Sequence, residues 1–343
     1  MKAMVLNRIS DLGLNREPLE AADLPVPLPG EGELLLKVLT CGVCHTELDE
    51  IEGRAMPPQF PVIPGHQVVG RVEKASGESK RFAVGDRVGV AWIYSACQSC
   101  NYCMDGKENL CESFRATGRD VNGGYAEYMT VPEDYAYLIP NVFSDSEAAP
   151  LLCAGAVGYR SLRLAGIKDG QKLGLTGFGA SAHLVLKMAR HEYPNSDIYV
   201  FARSGKERLF ARELGAVWAG DSKERSPEKL HSIIDTTPVW TTVVEALANL
   251  EKGGRLVVNA IRKEDGDKDY LLKLNYSEHL WMEKEIKSVA NVERRDVTGF
   301  LELAALMGIK PAVQEYPLSE ANRALMELKE GKIRGAKVLR IGL

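Results

Sequence analysis

The chain has 343 residues, 43 basic and 47 acidic, for a net charge of -4, with 45% hydrophobic and 26% charged residues. That length exceeds what one hydrophobic core usually holds, so two domains are expected. The charge balance offers no basic surplus for nucleic acid or an anionic membrane. No apolar run approaches the about eighteen residues needed to span a bilayer, and the N-terminal Met1-Lys-Ala-Met-Val-Leu6 carries no secretory signal core.

In chain order, residues 1 to 90 read as β structure. Met4–Leu6, Glu33–Leu39, Gln67–Val72 and Arg87–Val90 are short apolar strands punctuated by Pro25-Val-Pro-Leu-Pro-Gly30 and Pro57-Pro58. Tyr125–Val131 and Tyr135–Ile139 continue that style, and the spacing predicts a compact antiparallel barrel. Near residue 150 the pattern changes. Glu147–Leu164 reads as one helix, Lys172–Thr176 as a strand, and the stretch to His191 as a helix. Ile198–Ala202 is the next strand, Lys206–Leu214 the next helix, and Ser232–Asp235 and Arg255–Asn259 are further strands. This alternation predicts a parallel α/β sheet. Lys310–Leu343 returns to strand, Pro and Gly, with a helix at Ser319–Lys329.

Four of the seven cysteines, Cys97, Cys100, Cys103 and Cys111, fall within fifteen positions. Thiolates at such steps can close a tetrahedron around one zinc from a single loop, which points to a structural site with no open position. A disulfide framework would need an oxidising compartment, and the odd cysteine count suits a reducing cytoplasm instead. Gly177-Phe178-Gly179-Ala180-Ser181-Ala182 lies between a strand and a helix. That is the context of a dinucleotide fingerprint: Gly177 for the turn, Gly179 for close approach of the pyrophosphate, and Ala182 where helix packs on strand. The following strand ends at Ala202-Arg203-Ser204, where an acid would hold a ribose 2′-hydroxyl. With no carboxylate there, Arg203 is placed to receive a 2′-phosphate and Ser204 to add a hydroxyl hydrogen bond, so NADP(H) is expected over NAD(H).

Further residues stand out as Cys41-Gly-Val-Cys44-His45-Thr46, Gly65-His66-Gln67, Val84-Gly-Asp-Arg-Val88, Gly123-Gly-Tyr-Ala-Glu-Tyr128 and Cys153-Ala-Gly155. Together with the cysteine lobe and Gly177-Phe-Gly179, and in this order, they resemble the zinc-dependent alcohol dehydrogenases of the medium-chain dehydrogenase/reductase superfamily over essentially the whole chain. The resemblance implies a GroES-like β-barrel catalytic domain over 1–150, with the structural-zinc lobe at 92–115. It also implies an inserted Rossmann doubly wound parallel-sheet domain over 151–290, and a return to the catalytic domain over 291–343. It implies two zinc ions, the second a catalytic one on Cys44, His66 and Cys153, and reversible hydride transfer between an alcohol or aldehyde and the nicotinamide cofactor.

By the same resemblance Thr46 takes the alcohol proton, Glu47 orients His66, His45 meets the pyrophosphate, and Trp92 with Thr46 shapes the substrate pocket. Asn259, at the end of its strand, joins the cofactor residues. Cys41 matches no ligand and reads as a buried thiol. Two positions depart from the family pattern: Gln67 stands where an acid that assists ligand exchange is usual, and Asp49 stands where many members carry the histidine ending the proton relay, so that either Asp49 accepts a proton or the relay ends in water. The C-terminal Ile333-Arg-Gly-Ala-Lys337 is offset from the family's usual Gly-Arg, leaving Arg334 or Lys337 to meet the pyrophosphate. Polyol or secondary-alcohol oxidation, an NAD(H)-dependent enzyme, and a catalytically silent zinc-binding structural or redox-sensing protein are the alternatives. A cytoplasmic homodimer or homotetramer acting on a small molecule is expected, with no nucleic acid or membrane partner.

Overall fold

The computed structural model describes residues 1–77, 79–331 and 335–342. The chain divides into two units, one of Met1–Ala156 with Val292–Leu343 and one of Val157–Asn291. The first is organised on Glu33–Val43, an eleven-residue strand whose apolar residues are almost all buried. Burial on both faces suits a run of leucine and valine rather than a strict alternation. This strand pairs antiparallel with Val68–Ala75, Tyr128–Pro132 and Ala336–Arg340, and register shifts near Leu35 and Val38 bend it. The sheet continues through Arg87–Val90 to Ala136–Leu138 on one side.

The expected antiparallel pairing holds everywhere in this sheet except at its far edge. Val313–Pro317 runs parallel to Ala336–Arg340, because the chain between them crosses over through the Ala321–Lys329 helix, as a parallel connection requires. The expected single helix over Glu147–Leu164 is also not continuous. It is an α-turn at Asp145–Ala148, a 3₁₀ turn at Ala149–Leu152 and a helix at Ala154–Ala165, with Cys153 between them at φ -126°, ψ -82°. Pro150 carries no N–H and cannot continue the α-helical ladder, and the helical path then ends at Cys153, whose dihedrals are not helical.

The second unit is a six-stranded parallel sheet. Its order is Trp218–Gly220, Ile198–Phe201, Leu173–Thr176, Leu230–Asp235, Leu250–Val258 and Glu285–Ser288. Strand order reverses at Leu173–Thr176, whose neighbours are the strands that follow it on either side, and a doubly wound sheet opens its ligand crevice at that switch point. Tyr199, Phe201, Leu230, Ile233, Leu247 and Leu256 build a core under the Trp240–Asn249 helix. Among the described residues no helix is long and apolar enough to cross a membrane.

Lys337 is 2% exposed within the Ala336–Arg340 strand. Its ammonium donates to Tyr316 Oη at 2.6 Å, Glu327 Oε2 at 2.8 Å and Gln314 Oε1 at 3.3 Å. Lys337 and Tyr316 together hold the Glu327 carboxyl down to about 2. A carboxyl depressed in the folded state stabilises fully above its unfolded pKa of about 4.3, and that share is lost as the pH falls through the folded value. Glu327→Gln should therefore lower the melting temperature at pH 7. The gap from the parent should narrow steadily between pH 4.5 and 2.5 in calorimetric scans.

Candidate functional site

Cys44, His66 and Cys153 come from three separate irregularities of the first unit. Cys44 is extended, at φ -128° and ψ 166°, between the end of its long strand and the helix His45–Ile51. His66 follows Gly65, which sits at φ +100° with the Tyr125 ring and the Cys41 sulfur against it. A Cβ there would approach those atoms to 2.4 and 2.8 Å, so only glycine fits. Cys153 occupies the break described above. The sulfurs of Cys44 and Cys153 are 4.0 Å apart, His66 Nε2 is 3.3 Å from the Cys153 sulfur, and all three ligand atoms lie within 4.8 Å of one another.

A tetrahedral zinc with Zn–S bonds of about 2.3 Å would place two sulfurs about 3.8 Å apart. Two thiols, one imidazole and this spacing fit that ion and leave a fourth position open. His66 Nδ1 meets Glu47 Oε1 at 2.6 Å, while Glu47 Oε2 accepts the Cys44 N–H at 2.8 Å. The carboxylate thereby orients the ring so that Nε2 is the metal-facing atom. Cys44 is the acidic thiol, lowered by the hydrogen bond from Cys153, which is itself pushed up by Cys44. Burial opposes protonation of His66, but Glu47 and Cys44 outweigh it and hold the imidazole well above its usual range. Binding an ion must therefore displace protons.

The residues around this triad take clear places. Thr46 is 8% exposed with Oγ1 3.7 Å from the Cys44 sulfur. His45, the first residue of the helix, is exposed. Asp49 accepts the Arg54 Nε–H at 2.6 Å, and Arg54 also pairs with Glu52. The residue read as a proton acceptor is thus already in an ion pair. Gln67 is buried, its amide lying over Gly42. Cys41 is fully buried, raised by that burial, and belongs to neither ligand group. Trp92 stacks on Phe114 at 4.9 Å with the Arg119 guanidinium 5.4 Å from its ring.

The second ligand group is Cys97, Cys100, Cys103 and Cys111, also within 4.8 Å. Backbone N–H groups of Cys100 and Cys97 point at the sulfurs of Cys97 and Cys111, at 3.3 and 3.5 Å. N–H donors from the Ser99 and Cys100 backbone bring Cys97 to about 6. None of the seven cysteines is paired in a disulfide.

In the second unit Gly177, at φ +77°, ends its strand, with its N–H on Phe201 O at 2.8 Å. Thr236 and Thr237 press against it, so a side chain there would collide. Gly179 is the N-cap of the Ala180–Glu192 helix and makes no side-chain hydrogen bond, and space around it is open. The start of a helix suits an anion. The crevice measures about 890 Å³, and Gly177, Phe178, Gly179, Ser181 and Arg203 line it. Ala182 is fully buried in the helix–strand contact. Asn259 Nδ2 donates to Ser181 Oγ at 3.4 Å.

Ala202 is buried at the strand tip, and Ser204 Oγ caps the next helix by accepting from Lys206 N. Asp221 and Lys223, from the neighbouring strand end, also line the crevice, and neither was legible as a site residue because a three-residue strand shows no periodicity. Asp221 accepts from Arg208 at 3.5 Å. Of the two candidates for the pyrophosphate, Lys337 is buried in its own ion pair and Arg334 lies outside the described residues.

Sequence reading also missed Glu50, a fully buried acid one turn beyond Glu47. Its only signal was the three-residue spacing that puts both acids on one helix face.

Residues 30–141 match the alcohol dehydrogenase GroES-like domain. The chain is 43% identical over 332 residues to the probable alcohol dehydrogenase AdhA of Mycobacterium tuberculosis (strain CDC 1551 / Oshkosh), covering 94% of this chain and 93% of that one. It is 33% identical over 350 residues to an alcohol dehydrogenase of Geobacillus stearothermophilus, covering 99% of each. Among solved structures it is similar to a cinnamyl alcohol dehydrogenase from Sorghum bicolor, with a TM-score of 0.83 at 25% identity, covering 99% of this chain and 97% of that one. On the ligand spacing, the two sheets and these matches, the chain belongs to the zinc-type alcohol dehydrogenase family of the medium-chain dehydrogenase/reductase superfamily.

Proposed function

We propose that this protein interconverts alcohols and aldehydes with NADP(H), using zinc on Cys44, His66 and Cys153. The observation that supports it best is the Glu47–His66 hydrogen bond at 2.6 Å beside two thiols at zinc spacing. When bound, the zinc acts as a Lewis acid on an alcohol or carbonyl oxygen. Thr46 supplies the hydroxyl that accepts the alcohol proton, from its buried place beside Cys44. Trp92 and Phe114 give the substrate an apolar wall. The backbone at Gly177–Gly179 and the start of the following helix hold the pyrophosphate. Arg203 holds the 2′-phosphate. Cys97, Cys100, Cys103 and Cys111 hold a second zinc with a structural role.

An NAD(H) enzyme is the second reading, and Asp221 in the crevice is the observation that favours it. Its carboxylate is shared with Arg208, which weakens that case.

Metal analysis of the purified protein should find two zinc ions per chain. Cys153→Ala should lose one ion and the activity while the fold persists. Cys100→Ala should lose the other ion and mainly lower the melting temperature, since structural zinc binding is coupled to folding. A single ion in the parent overturns the assignment.

Thr46→Val keeps shape and removes the hydroxyl. Because general acid–base steps contribute about a hundredfold or more, turnover should fall by about that factor. Turnover within threefold of the parent would make Thr46 a packing residue.

For the cofactor, a charge-assisted hydrogen bond of about 1.5–3 kcal/mol from Arg203 corresponds to about ten- to a hundredfold in affinity. Comparing kcat/KM with NADPH and NADH should show that preference in the parent and its reversal in Ala202→Asp. Equal or better use of NADH by the parent assigns the crevice to Asp221 instead.

A further inference from the structure

Glu50 lies in the helix that begins beside Cys44, three residues beyond Glu47, and is 1% exposed. Neither of its carboxylate oxygens has a hydrogen-bond partner among the described residues. An acid buried this deeply without a partner carries a high desolvation cost, so its charge needs an answer from its surroundings. Burial, and then the negative Glu47, push its carboxyl well above the ordinary range, while His66 and Arg119 pull it down and Cys44 adds to the rise.

The cations nearby are committed elsewhere. Arg119 donates to both oxygens of Asp120, at 2.9 and 2.8 Å, and lies against the Trp92 ring. Glu47 spends one oxygen on His66 and the other on the Cys44 N–H. Arg119 also follows Gly118, which backs onto Gly65, the residue before His66: a Cβ at Gly118 would stand 2.8 Å from the Gly65 N. Glu50 is therefore a buried carboxylate on the same helix face as Glu47, with no hydrogen bond of its own among the described residues. Gln67, the residue after His66, is neutral.

We propose that Glu50 is a positioning residue of the metal centre: a dication on Cys44, His66 and Cys153 is the counter-charge that its buried carboxylate otherwise lacks, and the carboxylate in turn strengthens their hold on the ion. The inference rests on the metal reading above. It requires no ligation by Glu50: a charge in a low-dielectric setting acts over several ångströms, and a bound dication in turn offsets the cost of burying that charge.

The test uses the full-length, zinc-loaded protein and excess chelator, with released zinc followed by a colorimetric indicator. Two release phases are expected, and Cys153→Ala identifies the one belonging to Cys44, His66 and Cys153. Glu50→Gln has the shape of an uncharged carboxyl, so it removes the charge and little else. It should release that ion about tenfold faster, at the lower end of the range for residues surrounding a ligand set, and leave the four-cysteine phase unchanged. Glu50→Asp should stay within threefold of the parent.

Release from Glu50→Gln within twofold of the parent overturns the proposal, as does equal weakening of both ions, which would report loosened packing. Should Glu50→Gln not fold, Arg119→Gln carries the test from the other side. Removing the competing cation leaves more of the Glu50 charge for the metal, so release should slow severalfold, and unchanged or faster release overturns the proposal. A parent that holds zinc at the four cysteines alone overturns the metal reading itself and this proposal with it.

Discussion

The candidate metal site of the first unit depends on one buried hydrogen bond, the 2.6 Å contact between Glu47 and His66. An imidazole can turn either nitrogen toward a metal, and the carboxylate on Nδ1 decides the matter by leaving Nε2 beside the two sulfurs. The same carboxylate reaches back to the Cys44 N–H, so a single side chain positions two of the three candidate ligands. For this to work the helix His45–Ile51 must begin immediately after Cys44, and Gly65 must take a positive φ against Tyr125. Cys153 completes the group only because the chain leaves its helical path there. Each ligand stands at a departure from regular structure, which is where a side chain can be aimed independently of its neighbours.

The two units divide the chemistry according to what each kind of sheet offers. A parallel sheet sends its strand ends to one edge, and at the reversal of strand order it leaves a crevice lined by backbone N–H groups and strand-tip residues. Gly177, Gly179, Arg203 and Thr236 are there for that reason. Asp235, Lys263, Thr176 and Thr237 bind one another just beneath, which keeps the strand ends rigid and the buried charges paired. The antiparallel sheet has no such edge. Its long central strand instead delivers Cys44 at its end.

Charge is treated differently in the two buried clusters of the first unit. Lys337 is surrounded by Gln314, Tyr316 and Glu327, a set of acceptors matched to its donors. Such a pair costs desolvation but leaves no group unanswered. Among the described residues Glu50 has no comparable set. A buried group without a partner marks a place where something other than folding shaped the choice of residue.

How much of this was legible before folding follows from the range of the interactions. The four-cysteine lobe was legible because its ligands fall within fifteen consecutive residues. The glycine turn between Thr176 and Ala182 was legible for the same reason, as was Ala202 in place of an acid. The triad was not legible from spacing, since Cys44, His66 and Cys153 are separated by up to 109 positions, and only resemblance brought them together. Sequence by itself determined which residues could ligate, turn or carry charge, because those are properties of single side chains and short backbone runs. Only the tertiary structure decided that Asp49 belongs to Arg54, that Lys337 is sealed under Glu327, and that Glu50 is enclosed without a partner. The physical reason is that burial and pairing are set by segments distant in sequence, and the free energy of a charged side chain depends far more on what encloses it than on its neighbours along the chain.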